Sequence, residues 1–205
     1  LNRRVREAPE DECPDMQVLP LYAALPPEAQ ARVFAPPPPP NIRSRCCRRV
    51  VVATNIAETS LTVPGVVFVV DSGVVKQKEY DPRTGMDSLR VTSISATQAR
   101  QRAGRAGRTQ AGRCFRLYTR DAFEQDMPVQ TRPEIQRVSL VGTVLYLKTL
   151  RLPGLDVLNF DFVDKPEPEA MADALRQLYV VGAIDADGEI TALGREMSPM
   201  PVEPQ

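Results

Sequence analysis

Two β-branched runs, RRVVVATN (Arg48 to Asn55) and GVVFVVDSG (Gly65 to Gly73), constrain the fold of this chain more than any other feature. Each is short, nearly continuous in apolar residues, and closed by small polar ones. Strands of that kind are buried on both faces, as in parallel sheets, and do not alternate apolar with polar. LRVTSIS (Leu89 to Ser95) reads as a third such strand, GRCFRLYT (Gly112 to Thr119) as a closing one, and Val18 to Tyr22 as a short one. Between them, NIAETS reads as a helical turn, PPEAQARVF as a helix with proline in its first turn, and ATQARQRAGRAG as a helix. Strands alternating with short helices predict an α/β sheet with ligand sites at the strand ends.

After Tyr118 the texture changes. PEIQRVSLVGTVLYLKTL sets Val138, Leu140, Val141, Val144, Leu145 and Leu147 at helical spacing behind a Pro-Glu start. EPEAMADALRQLYVVGAI predicts a second helix with Met171, Leu175, Leu178 and Val181 along one side, and AIDADGEITAL two short strands around an Asp-Gly turn. Helix, helix, small hairpin is the order of a winged-helix module, with the boundary between residues 119 and 132. The run Pro36 to Pro40 must be extended; an exposed loop explains it better than a ligand for a proline-binding module.

Several chemistries are excluded. The chain has no His, so a His-based triad, base or metal ligand is ruled out within these 205 residues. Cys13, Cys46, Cys47 and Cys114 form no CxxC pair, which suits a reducing compartment, and no metal site is expected. No apolar run approaches the ~20 residues that span a bilayer, so no membrane association is expected. A first residue of Leu1 and an end on MPVEPQ suggest an excerpt from a longer protein.

Net charge is zero, yet its distribution is uneven. Arg100, Arg102, Arg105, Arg108, Arg113, Arg116 and Arg120 succeed one another with no acid among them, and Arg43, Arg45, Arg48 and Arg49 form a second knot. Only four of the 26 Lys/Arg residues are lysine, a balance that favours planar recognition of phosphate. Within QRAGRAGRT (Gln101 to Thr109) three arginines stand three apart, with only Gly and Ala between them. On a continuous helix they form one drifting stripe, and the absent bulk admits a phosphate chain or another backbone. A basic surface face explains the charge but not the glycines, which cost a helix roughly 1 kcal/mol each. A GxxxxGK[ST] phosphate loop is absent, since none of the lysines follows a glycine. PEDEC lacks a preceding strand and makes a poor metal-binding acidic box, and Asp71 reads as a polar cap at a strand end. The chain thus carries arginines for a nucleotide and nothing to cradle its phosphates, which is half a site.

ATNIAETSLT (Ala53 to Thr62) followed by QRAGRAGRT resembles motifs V and VI of the DEAH-box RNA helicases of superfamily 2. The similarity runs on through YAALPPEAQARVF, GVVKQKEYDPRTGMDSLRVTSIS, GRCFRLYT, PEIQRVSL and ALRQLYVVGAID, nearly the whole chain. It implies a second RecA-like domain with a partial parallel sheet (1–120), a winged helix (121–190) and the opening of a helical bundle (191–205). In that family ATP and Mg2+ lie between two RecA-like domains, and the first holds the phosphate loop, the DEAH box and most of the metal contacts. This chain would be inactive alone and would have the first domain as its partner.

By the same resemblance Gln101 stands beside the γ-phosphate and attacking water, and Arg105 and Arg108 reach the phosphates. Arg102 makes structural contacts, Thr62 couples motif V to the nucleotide, and Phe34 stacks on adenine. On its own, Phe34 at a helix end reads equally well as a core residue. Thr54 and Asn55 contact the RNA backbone, a role compatible with capping the next helix. Lys76 to Val91 matches a β-hairpin projecting from the RecA-like domain toward the nucleic acid. Pro64 stands where many members have an Asp that bonds a ribose hydroxyl, so that contact is not expected. The implied activity is ATP-dependent remodelling of single-stranded RNA, sequence-tolerant, in the nucleus or the cytoplasm, with glycine-rich-patch activators among its partners. The alternative is a non-catalytic module, a degenerate or truncated relative that binds RNA or protein.

Overall fold

The computed structural model describes residues 16–36, 48–150 and 156–200. Pro37 to Pro40, Arg43, Arg45, Cys13, Cys46 and Cys47 lie outside the described residues. Along the chain the elements are β1 (Met16–Leu21), α1 (Pro27–Phe34), β2 (Arg48–Ala53), α2 (Ile56–Thr59), β3 (Phe68–Asp71), β4 (Val74–Asp81), β5 (Met86–Ser93), α3 (Ala96–Ala103), β6 (Arg113–Arg116), α4 (Val141–Thr149), α5 (Pro168–Val180) and α6 (Ala192–Met197). They fall into two compact units, one running through Val75 and resuming over Ser93–Thr131, the other made of Lys76–Thr92 and the chain from Arg132 on.

The first unit is α/β with parallel pairing, as the β-branched runs predict. β1 pairs with β2, Leu21 opposite Ala53, and β3 pairs with β6, Asp71 opposite Arg116. Leu19, Leu21 and Val33 are buried, and Val51, Ile56, Ala57, Leu61 and Val63 pack around them. The expectation of strands buried on both faces is not met. Val52 is 57% exposed and Val70 66%, because each of these strands has one strand neighbour among the described residues.

LRVTSIS is corrected too. It belongs to β5, which pairs with β4 and not with the parallel strands. The connection from Pro82 to Gly85 is far too short for a parallel crossover, so the two strands form a hairpin. The resemblance implied a hairpin projecting from the RecA-like domain, but residues 76–92 pack with the helices of the second unit.

In that second unit Leu140, Val141, Val144, Leu145, Met171, Ala174, Leu178, Ala183 and Ile184 form one core, with Leu175 and Val181 packed on it. The side of α5 expected to face inward does so. The helix expected from Pro133 onward is interrupted: a single 3-10 turn, Glu134–Gln136, precedes α4. Arg137 breaks the helix with a non-helical φ of −139°, and its carbonyl accepts from the Tyr80 N–H of the hairpin at 2.9 Å. The Asp-Gly turn is present but its strands shrink to one bridge, Ile184 to Ile190. Thr191 caps α6, its hydroxyl accepting from Gly194 N at 3.0 Å and donating to Gly182 O at 2.7 Å.

Candidate nucleotide and nucleic-acid site

The residues singled out for function hang from the small core of the first unit. Val33, next to last in α1, is buried in that core, and Phe34 ends the helix at the surface, 39% exposed. Leu61 and Val63 pack on the same core and hold Thr62 between them. Ile56 and Ala57 do the same for the loop that carries Thr54 and Asn55, both exposed. The sheet end is fixed by backbone: Thr54 N donates to Leu21 O at 3.0 Å. Asn55 makes no side-chain cap on α2, so the capping role considered for it is not realised.

α3 begins with a capping box, Ser95 Oγ accepting from Gln98 N while the Gln98 side chain accepts from Ser95 N. It stops at Ala103, and Gly104 forms its C-cap. The expected continuous stripe of Arg102, Arg105 and Arg108 is therefore broken. Glycine is the poorest helix former after proline, and two of them within four residues end the helix where the stripe would have run. Arg105 and Arg108 stand on the turns that follow. A Cβ at Gly107 would meet nothing within 4 Å, so this glycine leaves open space.

The three arginines meet three different environments. Arg102 is pinned by two buried acids: Nη2 lies 2.6 Å from Glu58 Oε1, and Nη1 lies 2.8 Å from Asp71 Oδ1. Burial works against its charge, but the hydrogen bonds to Asp71 and Glu58 prevail and raise its pKa. Asp71 also accepts from Tyr118 Oη at 2.8 Å and from Gly73 N at 3.0 Å. Tyr118 is pushed up to about 12, by burial first and then by its bond to Asp71. Gly73 has φ +75° and a Cβ there would meet the Tyr118 ring, so the turn after β3 requires glycine. The contacts of Arg102 are structural, as the resemblance implied.

Arg108 donates through Nη1 to Thr62 Oγ1 at 2.6 Å, so the structure joins two of the sequence-chosen residues from opposite motifs. Arg105 differs again. Its Nε makes a long contact of 3.3 Å to Gln101 O, while Nη1 is buried with no hydrogen-bond partner among the described residues. Burial, and then the nearby Arg108 charge, lower its pKa. A guanidinium N–H that makes no bond among the described residues can donate to an anion. Beyond this run, Gly112 brings β6 against its neighbours. A Cβ there would meet Ala106 O and lie 2.6 Å from Val67 O.

Sequence reasoning read Asp71 as a polar cap, which is half its role, and it missed Glu58 altogether. A lone Glu beside Ile56 and Ala57 was the available signal, because a buried carboxylate needs a cationic partner. Among the described residues no three His, Cys, Asp or Glu side chains gather where they could hold a metal ion.

Comparison with known proteins gives the family and the fold. Residues 4–110 match the Helicase conserved C-terminal domain, and residues 174–202 match the winged-helix Helicase associated domain (HA2). The chain belongs to the DEAH-box helicases of superfamily 2. It corresponds to their C-terminal part. This helicase segment is 52% identical over 195 residues to the pre-mRNA-splicing factor ATP-dependent RNA helicase prp22 of Schizosaccharomyces pombe, covering 95% of the segment and 16% of that relative. Two crystal structures of HrpB from Escherichia coli, described as a DExH-box NTPase and as a DEAH/RHA helicase, superpose with TM-scores of 0.77 and 0.78 at 33% and 32% identity. They cover 96% and 90% of the helicase segment, which spans 23% and 22% of those chains. Among the described residues no helix is long and apolar enough to cross a membrane.

Proposed function

We propose that this chain is the part of an ATP-dependent RNA helicase that supplies two arginine fingers to ATP and holds the backbone of single-stranded RNA. The observation that carries the reading is the buried, unpartnered Nη1 of Arg105, beside an Arg102 whose charge is already consumed by Glu58 and Asp71. Arg105 and Arg108 would meet the β- and γ-phosphates, Gln101 would orient the attacking water, Thr62 would hold Arg108, and Phe34 would stack on the base. ATP supplies the transferred phosphoryl group; the guanidiniums neutralise charge that grows on it, an effect worth ~10³-fold or more in rate. The residues present suit the phosphates and not the Mg2+, whose ligands belong with the phosphate loop of a first RecA-like domain. That domain of the same protein is the partner this reading requires.

Thr54 and Asn55 are exposed, and neither side chain makes a hydrogen bond among the described residues, which supports their placement on the RNA backbone. Backbone contacts make binding tolerant of sequence and weaker at high salt. The splicing role of the fission-yeast relative supports a nuclear setting and RNA processing as the context; a glycine-rich-patch activator rests on the family resemblance alone. The test is Arg105→Ala in the full-length protein. RNA-stimulated ATP hydrolysis should fall ~10³-fold while RNA affinity stays near wild type. Wild-type turnover in that variant would end the finger assignment.

A further inference from the structure

We propose that Arg49 is a positioning residue for the nucleotide base, acting through Phe34. The proposal rests on the reading of Phe34 as the base-stacking residue. α1 ends at Phe34, and the last carbonyls of a helix have no partner within it. One side chain from β2 takes one of them and the two carbonyls that follow Phe34. Arg49 Nη1 donates to Val33 O at 3.2 Å and to Ala35 O at 2.6 Å, and Nη2 donates to Pro36 O at 3.0 Å. Its Nε donates to Gln17 Oε1 at 3.0 Å, which ties the group to β1. The carbonyls on both sides of Phe34 are thus held by a single planar fork.

Phe34 is unlike its neighbour Val33, which is 1% exposed and positioned by the core. A ring 39% exposed lacks that packing, so its direction depends on the backbone that carries it. Ala35 is already extended, with ψ 152°, ahead of Pro36, so no further helical turn steadies the end of α1. A cation at a helix C-terminus is also favoured by the helix dipole. Lysine carries its three donors on one nitrogen and lacks the planar fork whose Nη1 and Nη2 divide these carbonyls between them.

The experiment uses the full-length protein with two substrates, ATP and ribose 5′-triphosphate, which lacks a base. Phe34→Ala should raise KM for ATP about tenfold, the size expected for one lost aromatic stack, with kcat and the KM for ribose 5′-triphosphate unchanged. Arg49→Gln should reproduce that pattern at about fivefold, and the double variant should be no worse than Phe34→Ala alone, since both changes remove one interaction. Arg49→Lys keeps the charge and the stem and should share the ATP-selective rise, so the result survives if Arg49→Gln folds poorly. Wild-type KM for ATP in both Arg49 variants would overturn the proposal. So would an equal rise for ribose 5′-triphosphate, or effects that add to those of Phe34→Ala. An unchanged KM in Phe34→Ala itself would instead remove the stacking reading on which this one stands.

Discussion

The two units of this chain are held together by different physics. The second has one continuous apolar core, in which Val144, Leu145, Ala174, Leu178 and Ala183 are at most 1% exposed. Among its described residues the first buries a smaller cluster of Leu19, Leu21 and Val33, with Ile94, Ala99 and Ala106 buried elsewhere, and adds an ionic knot, Glu58–Arg102–Asp71–Tyr118, that joins α2, α3 and the end of β3. An apolar core is tolerant of detail, because any side chain of similar volume fills it. A buried ion network is not, because losing one member strands the others. The unit that carries the candidate chemistry is therefore the brittle one.

That contrast can be broken most directly at Arg102. Arg102→Ala should destabilise the first unit by about 3–5 kcal/mol, since Glu58 and Asp71 would be left buried without a cation. Native-state hydrogen exchange should show the loss in amides around β3 and α3 and none in α5. Protection unchanged in α3 would show the knot to be dispensable. Leu178→Ala should do the reverse, costing about 2–5 kcal/mol in α4 and α5 and nothing in α3.

Alkaline pH sharpens the comparison on a smaller scale, because each unit has one tyrosine pushed up to about 12. Tyr80 is raised by burial and then by its hydrogen bond to Asp173; Gln177 donates to both, at 2.5 Å and 2.7 Å. A group whose pKa is raised by folding lends stability in full below its ordinary value of 10, and loses it as pH climbs toward 12. Tyr80→Phe should flatten the alkaline loss of stability in the second unit only, and Tyr118→Phe in the first only. Identical alkaline profiles in wild type and variant would remove the assignment. Smallest of all, Thr62→Val deletes the bond to the exposed Arg108 guanidinium and should cost well under ~1 kcal/mol in stability. Its effect belongs in the KM for ATP, read by steady-state kinetics.

Much of this was legible in the sequence, for reasons that can be named. Local signals survived folding: Pro27 at the start of α1 and the Met171–Leu178 side of α5 both behave as their spacing predicts. The arginine run was legible as a motif and misread as a shape, since the glycines within it also end the helix. What was illegible depends on partners distant in sequence. Glu58 meets Arg102 across 44 residues, Arg49 reaches the end of α1, and Tyr80 meets Asp173 across 93. No periodicity encodes such pairs. The exposure of Val52 and Val70 was likewise invisible, because a β-branched run does not state how many neighbours it will have.

Gly112 has a consequence for how the arginine segment behaves. Because Ala106 O and Val67 O crowd the place of its missing Cβ, no other amino acid, alanine included, fits there without displacing backbone. The stretch bearing Arg105 and Arg108 is thus strung between two fixed posts, a charge clamp at Arg102 and a steric one at Gly112. Whatever slack those arginines have is confined to the few residues between the posts.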